Sequence, residues 1–422
     1  MIETSTTGPI ATASQVQAGK NLTYPRLAGK RIAMVTFSPY PFDPRPRRAI
    51  DAMVGVGATI DLICLGDEKG PRREVRNGVN VLRVPLKHPR RGRVEYALRY
   101  GIFILTSGLV FAFRSLRRRY DLVYVHNMPD ILVASALVPK ALGAKVVLDL
   151  HDPMPELMKT IFNVSEDNGS VRLIRRLERW SIARSDLVIT VNLACKRIFS
   201  SRSCSPEKIA VVMNAPDGKI FPFREANANS AGNRDSKTPF VIMYHGSLVE
   251  RNGLDVAIEA LGRVRQTVPN AELYVFGPST TFLERMKEMA REKGLQDCVQ
   301  YQGPRNLEEL VTEISKCDLG VIPNHRNAFT DINTPTRMFE YLALGKPVIA
   351  PSTLGITDYF DKDSLLFFEP GNAADLARQI EFAYFHPREM SEIARRGQNV
   401  YREHTWDRES QTLLDRVSGI LN

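Results

Sequence analysis

The sequence predicts an α/β protein built of two doubly wound, Rossmann-like domains that face each other across a cleft. Three observations predict it. The chain has 422 residues, which is too long for one ordinary hydrophobic core. Short apolar strands alternate with helical segments, as they do in βαβ units. This alternation stops at a polar stretch, residues 223–239, and then begins again.

In the first half, a βαβ pattern starts near residue 30 and is repeated. The predicted strands are "KRIAMVTF", "ATIDLICLG", "YDLVYVHN", "AKVVLDLHD", "DLVITVN" and "IAVVMNAPD". The predicted helices are "AIDAMVGVG", "MPDILVASALVPKALG" and "SVRLIRRLERWSIARS". The first helix follows "SPYPFDPRPRR", which is interpreted as a proline-rich loop with clustered charge.

The second half repeats the alternation after the polar stretch. Its predicted strands are "FVIMYHGS", "AELYVFG", "VQYQG", "DLGVIP" and "KPVIAP". Its predicted helices are "LDVAIEALGRVRQTV", "TFLERMKEMAREKG", "LEELVTEISKC" and the short helix that begins within "TPTRMFEYLALG". Ligands of such sheets bind outside the carboxyl ends of the strands, so the predicted site lies in the cleft.

These patterns give predicted boundaries for the whole chain. Residues 1–28 are expected to be a disordered leader, because they are polar and lack the apolar core of a secretory signal. An N-terminal domain over 29–222, a linker over 223–239 and a C-terminal domain over 240–400 follow. Residues 401–422 are predicted to be a helix that packs back on the N-terminal domain.

Composition and motifs exclude several classes of protein. The five cysteines form no CxxC pair and no metal-ligand spacing, which argues against disulfides and structural zinc and suits a reducing compartment. Neither half contains GxGxxG or GxxxxGK[ST]. A nicotinamide-binding domain and a P-loop NTPase therefore have little support. No nucleic-acid partner is predicted.

Charge is divided unevenly between the halves. Residues 1–215 hold 33 Lys and Arg against 18 Asp and Glu, a net +15, whereas residues 216–422 have a net charge of −5. The basic half contains an apolar run of fourteen residues, Tyr100–Phe113, between "KHPRRGR" and "RSLRRRY". The run is shorter than the ~20 residues that span a bilayer, so no transmembrane segment is expected. A helix on an anionic membrane surface and a core helix that contains Phe103, Leu105, Leu109 and Phe113 explain the run equally well.

The start of the helix in "TPTRMFEYLALG" has the features of a phosphate site. Helix N-termini attract anions through free N–H groups and a partial positive charge. Asn333, Thr334 and Thr336 supply small polar groups there, and Arg337 adds a cation. Glu340, one turn later, is placed to accept hydrogen bonds from a ribose. The alternative is a solvated Arg337–Glu340 pair.

The chain resembles the GT-B glycosyltransferases, specifically the large retaining group called family 4. The resemblance in the second half rests on "YHGSLVERNGLDVAIEAL", "LYVFGP", "VQYQGPRNLEELVTEISKCDLGVIP" and "TPTRMFEYLALGKPVIAP". In the first half it rests on "SPYPFDPRPRRAIDAM", "DLVYVHNMPDILVA", "AKVVLDLHDPMPEL" and "VVMNAPD", and at the end on "EHTWDRESQTLLDRV". It covers residues ~31–420 in consistent order.

The resemblance implies that the C-terminal domain binds a nucleotide-diphosphate-sugar donor and that Glu340 contacts its ribose. The sequence departs from the family pattern at two places. The family's earlier glutamate, which contacts the transferred sugar, falls on Ile332, and Asp331 is out of register. In "HGSLVERNG" Ser247 and Asn252 occupy the positions of the family's two usual cations. The expectation is that Arg251 supplies the missing charge and that Gly246 permits close backbone approach. The alternative is an exposed arginine in a tight loop.

The N-terminal domain is expected to bind the acceptor. His151, at the end of the strand "VVLDLH", is implied by the resemblance to contact the donor sugar or organise the transition state, so His151 and Glu340 are the predicted catalytic residues. The alternative is a histidine that caps the loop for structural reasons. His126, at the end of the preceding strand "YDLVYVHN", and Asp130, at the start of the helix that follows it, are weaker acceptor-side candidates. Asp130 has the alternative role of a helix N-terminal acid.

"DPRPRR" supplies the remaining acceptor-side candidates, namely Asp43, Arg45 and Arg48. Its arginines are expected to reach a phosphate of the acceptor or the leaving diphosphate. The alternative is a solvated loop that orders the first helix.

The implied reaction is sugar transfer from the donor to a hydroxyl group with retention of configuration, without a metal or other cofactor. The acceptor is expected to be a lipid-linked or envelope glycan, and the location cytoplasmic, at the inner face of the membrane. The alternative is a non-catalytic GT-B-like scaffold or nucleotide-sugar sensor, which the missing first glutamate favours. An isomerase or phosphorylase of the same fold is a weaker alternative, because no lysine for a pyridoxal cofactor is evident.

Overall fold

The computed structural model describes residues 24–66, 70–86, 93–227 and 238–421. Most of the predicted leader and of the predicted linker therefore lies outside the described residues, as does the segment 87–92. Residues 24–28 of the predicted leader form a turn, and Leu27 is completely buried in the N-terminal core. The ordered domain therefore begins before residue 28.

The N-terminal domain is built on an eight-stranded sheet of order β3-β4-β2-β1-β5-β6-β7-β8. Neighbouring strands are parallel except for β3, which is antiparallel to β4. The strands are β1 (Arg31–Pro39), β2 (Thr59–Leu65), β3 (Arg73–Arg76), β4 (Val79–Val84), β5 (Leu122–His126), β6 (Lys145–Leu150), β7 (Leu187–Thr190) and β8 (Ile209–Val211). The helices are α1 (Pro44–Gly55), α2 (Arg93–Arg117), α3 (Leu137–Ala141), α4 (Met154–Phe162), α5 (Gly169–Arg184) and α6 (Leu193–Arg202).

The C-terminal domain has a parallel six-stranded sheet of order β11-β10-β9-β12-β13-β14. Its strands are β9 (Phe240–His245), β10 (Ala271–Phe276), β11 (Val299–Gly303), β12 (Leu319–Val321), β13 (Val348–Pro351) and β14 (Leu366–Phe368). Its helices are α7 (Leu254–Val264), α8 (Thr281–Glu292), α9 (Leu307–Lys316), α10 (Thr336–Ala343), α11 (Leu354–Thr357), α12 (Ala373–Phe385) and α13 (Pro387–Glu403). The predicted class, two Rossmann-like α/β domains, is confirmed.

The last helix, α14 (Trp406–Ile420), crosses from one domain to the other. Its buried residues Leu413, Leu414 and Val417 belong to the core beneath β1, β2 and α1. The Glu409 carboxylate also accepts a hydrogen bond from the Met213 N–H at 2.7 Å. The helix therefore anchors the C-terminal end of the chain on the N-terminal domain.

Two local expectations were wrong. "DPRPRR" is not a loop, because α1 begins at Pro44 and the Asp43 side chain caps it by accepting from the Arg45 N–H. "MPDILVASALVPKALG" is not one α-helix but a 3-10 segment, Asp130–Ala136, followed by α3.

The apolar run was also misjudged in length. It lies within α2, which has 25 residues, because the helix continues into the polar residues on both sides of the run. Among the described residues, the window Ala97–Arg117 is the one helical stretch long and apolar enough to cross a membrane, judged by length and composition alone.

Candidate active site

A cavity of about 330 Å³ opens beyond the carboxyl ends of β9 and β12, at the start of α10. Its lining includes seven of the eight residues predicted to bind the donor. These are Gly246, Ser247, Arg251, Asn333, Thr336, Arg337 and Glu340. Residues separated by almost a hundred positions in the chain therefore meet at one end of the C-terminal sheet, where ligands of parallel sheets bind.

Arg337 lies at the centre of this cavity and is held in a fixed direction. Its Nη1 donates to the His245 carbonyl at 3.1 Å, and its Nη2 donates to the Asn324 side chain at 2.6 Å. The guanidinium carbon lies 5.1 Å from the centre of the Tyr244 ring. Nε is buried without a partner, and among the described residues no carboxylate pairs with the guanidinium. The protein therefore keeps the charge of Arg337 available to a ligand.

Gly246 explains how the arginine can lie so close to the backbone. Its φ angle is +128°, and a Cβ atom built there would lie 2.8 Å from Nη1 of Arg337. A side chain at this position would therefore displace the guanidinium.

The start of α10 offers free backbone donors to the same cavity. Pro335 occupies the N-cap position, and no side chain caps the helix. The Met338 N–H donates back to the Pro335 carbonyl, whereas the N–H groups of Thr336 and Arg337 have no acceptor among the described residues. Both residues line the cavity. This arrangement is suited to binding an anion.

Glu340 is bound to a residue that the sequence analysis did not single out. His245 ends β9 and is 5% exposed; its Nε2 lies 2.7 Å from Oε2 of Glu340, and its Nδ1 lies 2.8 Å from the Tyr341 hydroxyl. That hydroxyl donates its proton to the Met243 carbonyl, so it accepts from Nδ1. The contact between His245 and Glu340 then also needs a proton. The pair therefore holds one proton on Nε2 or Oε2, which fixes the direction of the carboxylate.

Arg251 also lines the cavity. Its guanidinium carbon lies 5.8 Å from the centre of the Phe329 ring, and it also lines a neighbouring cavity of about 650 Å³ between α4 and residues 325–328. No described carboxylate lies within ion-pair distance of it. Arg251 and Arg337 thus present two cations to this cavity.

On the N-terminal side of the cleft, Asp149 organises a buried polar network. Arg45 donates to both carboxylate oxygens at 2.6–3.1 Å, and the Tyr124 hydroxyl donates to Oδ2 at 3.0 Å. Burial by itself would raise the pKa of Asp149, but Arg45, His151 and His126 hold it well below its usual range. Asp149 is therefore a carboxylate at every physiological pH.

The network sets the protonation of the predicted catalytic histidine. His126 Nδ1 lies 3.4 Å from Asp149 and 3.0 Å from Nε2 of His151. A proton on His126 Nδ1 satisfies both neighbours, so His151 accepts through Nε2 and keeps its own proton on Nδ1. Burial, with the nearby cations, lowers the pKa of His151 well below its usual range. His151 is thus neutral, with Nδ1–H as a donor for a partner outside the network.

Three ligand atoms of His126, Asp149 and His151 lie within 4.8 Å of one another, which is close enough for a metal ion. Their surroundings do not suit a cation, because the Asp149 oxygens already accept from Arg45 and Tyr124. The Arg45 guanidinium would also repel a metal held there. That no metal is required stays a prediction.

The two domains are joined beside the donor cavity by hydrogen bonds of Asn192. Its Nδ2 donates to the Ile332 carbonyl at 2.8 Å and to the Thr334 hydroxyl at 3.0 Å, and that hydroxyl donates to the Gly355 carbonyl. Ile332 is 6% exposed and packs in the core of the N-terminal domain. The position of the family's first glutamate is therefore filled by a buried apolar contact. Thr334, predicted to face the donor, is committed to this interface instead.

Comparison with known families matches most of the chain to two family models. Residues 44–215 match the glycosyl transferase 4-like domain, and residues 226–400 match the glycosyl transferases group 1 model. The chain is a group 1 glycosyltransferase. It is a transferase enzyme, and its two sheets form the GT-B fold.

Known proteins resemble this glycosyltransferase at low identity. "Probable glycosyltransferase WbjE" of Pseudomonas aeruginosa is 23% identical over 70% of the chain and 74% of its own length. D-inositol 3-phosphate glycosyltransferase of Corynebacterium aurimucosum is 23% identical over 53% of the chain and 54% of its own length. Among solved structures, sucrose-phosphate synthase of Thermosynechococcus elongatus superposes with a TM-score of 0.73 at 17% identity, covering 93% of this chain and 99% of that one. HepE of Anabaena, solved with UDP, has a TM-score of 0.67 at 16% identity over 93% and 100%.

The acceptor-side predictions need revision, because the glycosyltransferase buries most of those residues. Arg45, Arg48, His126 and Asp130 are each at most 7% exposed. Arg45 is committed to Asp149, and Arg48 donates to the carbonyls of Pro44 and Ala215 and to the Asn214 side chain. Asp130 accepts from Asn127, and Asp43 caps α1. These residues shape the cleft from beneath rather than presenting charge to a ligand.

Sequence reasoning missed Asp149, Asn192, His245 and Asn324 as residues that hold the site. His245 had a usable signal, since a histidine at the carboxyl end of a strand faces the ligand edge. Asp149 is an acid inside the otherwise apolar strand "VVLDL", and a buried acid requires a partner. Nothing local indicates that Asn192 contacts Ile332, which is 140 positions away.

Proposed function

We propose that the glycosyltransferase moves a sugar from a nucleotide-diphosphate-sugar to a hydroxyl group of a lipid-linked or envelope glycan, with retention of configuration. The observation that carries the donor assignment is the cavity at the start of α10. There Arg337 with its unpartnered Nε, two free N–H groups and Arg251 surround one space. A diphosphate is the ligand whose charge and oxygen count match that set.

In this proposal the residues divide the work between binding and transition-state stabilisation. Arg337, Arg251 and the α10 amides hold the diphosphate and stabilise the charge that it gains as the glycosidic bond breaks. Glu340, fixed by His245, accepts hydrogen bonds from the ribose hydroxyls. The Nδ1–H of His151 donates to the sugar from the opposite wall of the cleft.

Retention is proposed to follow from the leaving phosphate. Among the described residues the position of the family's first glutamate is occupied by Ile332, and Asp331 pairs with Arg326 at 3.3 Å, so neither offers a free carboxylate nucleophile. The departing diphosphate oxygen then takes the proton of the acceptor hydroxyl on the face that it leaves. The new bond forms on that same face, and configuration is kept.

The acceptor and location are proposed from chemistry and from the relatives. The glycosyltransferase AmsK of Erwinia amylovora, 24% identical over 46% of the chain, is named for amylovoran biosynthesis. None of the five cysteines forms a disulfide within the described part of the chain, and their sequence pattern suits a reducing compartment. We place the enzyme in the cytoplasm, at the inner face of the membrane, without a metal or other cofactor.

The test is nucleotide release from UDP-, GDP- and dTDP-sugars, followed by NMR of the anomeric proton in the product. The expected result is release from one donor class, with an unchanged anomeric configuration. Arg337→Ala and Glu340→Ala should lower release at least tenfold. Binding of a donor without turnover, across the panel and with glycan and lipid acceptors, would contradict transfer. An inverted product would contradict retention alone.

A further inference from the structure

Helix α2 has one face that belongs to the N-terminal core. Phe103, Ser107, Phe111 and Ser115 are spaced four residues apart and are at most 2% exposed. Phe103 packs edge-on against Phe37 with ring centres 5.1 Å apart. The Ser107 hydroxyl is satisfied by the Phe103 carbonyl at 2.7 Å. This inner face packs into the core of the N-terminal domain from Phe103 to Ser115.

The opposite face of α2 is apolar and open to solvent. It carries six of the seventeen large apolar residues that are exposed in the described chain, and their spacing of three to four residues places them on one side of the helix. They are Leu98, Ile102, Leu105, Leu109, Phe113 and Leu116, with exposures between 43% and 74%. Leu137 and Val138, on the neighbouring α3, are each 42% exposed. A surface on which this many large apolar side chains are exposed side by side marks an interaction site.

Positive charge borders this apolar face at the C-terminal end of α2. Arg117, Arg118 and Arg119 are exposed, and the Arg117 guanidinium carbon lies 4.0 Å from the centre of the Phe113 ring. Arginine stems that cover apolar surface while the charge stays in water are typical of a membrane interface. A second copy of the chain would bring the same basic surface against itself, whereas anionic headgroups would neutralise it.

The direction of α2 relates this face to the active site. Its first turns pack at the carboxyl end of β1, where the rings of Tyr100 and Phe37 are 4.6 Å apart. Its last turns pack at the amino end of β5, where the rings of Phe111 and Tyr120 are 5.9 Å apart. The helix therefore runs from the carboxyl ends of the strands, which face the cleft and carry His126 and His151, to their amino ends.

We propose that the outer face of α2 docks in the plane of an anionic lipid bilayer, with its leucines among the acyl chains and Arg117–Arg119 among the headgroups. A transmembrane orientation would pull Phe103 and Phe111 out of the core of the domain, so the helix lies on the membrane rather than across it. Because α2 starts at the cleft edge, docking brings the acceptor side of the cleft to the headgroups. A lipid-linked acceptor rests on the proposed function, but the docking itself does not.

The experiment is co-sedimentation of the full chain with vesicles of phosphatidylglycerol and phosphatidylcholine, without donor or acceptor. We expect binding to vesicles containing phosphatidylglycerol that weakens as salt rises, and little binding to pure phosphatidylcholine. Leu105→Gln/Leu109→Gln should weaken binding by on the order of tenfold or more. Arg118→Gln/Arg119→Gln should weaken it by about fivefold for each charge removed at low salt.

Matched controls carry the same changes elsewhere on the surface. Val75→Gln/Phe385→Gln removes two apolar side chains that are 75% and 57% exposed, and Lys362→Gln/Arg388→Gln removes two exposed cations. Both controls should bind vesicles as the wild type does. Circular dichroism and thermal unfolding check that every variant is folded.

Three results would overturn the proposal. The first is wild-type binding that is absent, or that the control variants weaken equally. The second is a wild-type dimer in sedimentation velocity that Leu105→Gln/Leu109→Gln converts to a monomer without an effect on vesicles, which would make the face an interface between two copies of the chain. The third is a chain that resists alkaline extraction from membranes, which would make α2 a transmembrane helix. None of these results depends on whether the donor is turned over.

Discussion

The two walls of the cleft handle charge in opposite ways. On the N-terminal wall, Arg45 and Asp149 neutralise each other, and further hydrogen bonds join them to Val212, Asn214 and Tyr124. On the C-terminal wall, Arg337 is oriented only by neutral oxygens of His245 and Asn324. The difference teaches that a cluster of charged residues at a strand end is not by itself a ligand site. A ligand site is marked by a charge that the protein orients but does not neutralise.

The largest expected effect comes from removing one charge of the buried network around Asp149. Asp149→Asn removes the only charge that balances Arg45 among their described contacts, so a guanidinium is left buried and uncompensated. The free energy of unfolding should fall by about 3–5 kcal/mol. Urea denaturation measures it, and the exposed pair of Lys287 with Glu284 offers the control Glu284→Gln, which should change stability by less than about 1 kcal/mol. Equal, small changes in the free energy of unfolding of both variants would show that Asp149 does not balance a buried charge on Arg45.

Arg337→Ala should affect catalysis rather than folding. The transition state loses an oriented cation, so kcat with the best donor should fall by about 10²–10³-fold. Arg263→Ala, on the exposed surface of α7, is the control and should leave kcat unchanged. Thermal unfolding of Arg337→Ala should stay near that of the wild type. A large loss of stability with little loss of kcat would place Arg337 with the structural charges instead.

Arg251→Ala tests whether the second cation of the donor cavity contributes. Arg251 is half-buried and lines the same cavity as Arg337, so it is expected to strengthen donor binding by about tenfold. The measurement is the KM for the donor and the Kd for its nucleoside diphosphate. Arg285→Ala, which removes an exposed arginine that pairs with Glu250, is the matched control. A KM that Arg251→Ala and Arg285→Ala leave equally unaffected would remove Arg251 from the site.

A further expected effect is a change in the pH dependence of stability. Burial, with Glu178 nearby, raises the pKa of Asp130 to about 7 in the folded protein, whereas an aspartate in the unfolded chain has a pKa of about 4. The folded state therefore holds a proton that the unfolded state has lost between these values, so stability falls as pH rises from about 4 to about 7. Asp130→Asn keeps the size of the side chain and should flatten this part of the profile. The measurement is the free energy of unfolding of both proteins at several pH values. Profiles that run parallel for the wild type and Asp130→Asn would refute the raised pKa of Asp130.

The residues predicted to form the donor side do line one cavity, and they could be grouped from the sequence because the signals there are local. Asn333, Thr336, Arg337 and Glu340 fall within eight positions at the start of one helix, and a helix terminus has the same chemistry in any fold. The exception, Thr334, shares that location, but its side chain points to Asn192 in the other domain. A partner 142 positions away cannot be read from a local pattern.

The acceptor side was predicted poorly because its charges are satisfied over long distances. Arg45 and Asp149 are 104 positions apart, so an exposed arginine and a buried one look the same in "DPRPRR". The apolar run before β5 shows a related limit. Its residues specified a helix, but whether Leu105 and Leu109 were buried depended on which face met the sheet, and the structure exposes both.

The most direct test of the account is calorimetric binding of UDP, GDP, ADP and dTDP, with the monophosphate and nucleoside of whichever base binds. The account predicts that the diphosphate binds about 10²-fold more tightly than the nucleoside, and that Arg337→Ala removes most of that advantage while leaving nucleoside binding unchanged. Failure of all four diphosphates to bind, or an affinity advantage over the nucleoside that survives Arg337→Ala, would contradict the claim that this cavity binds a diphosphate.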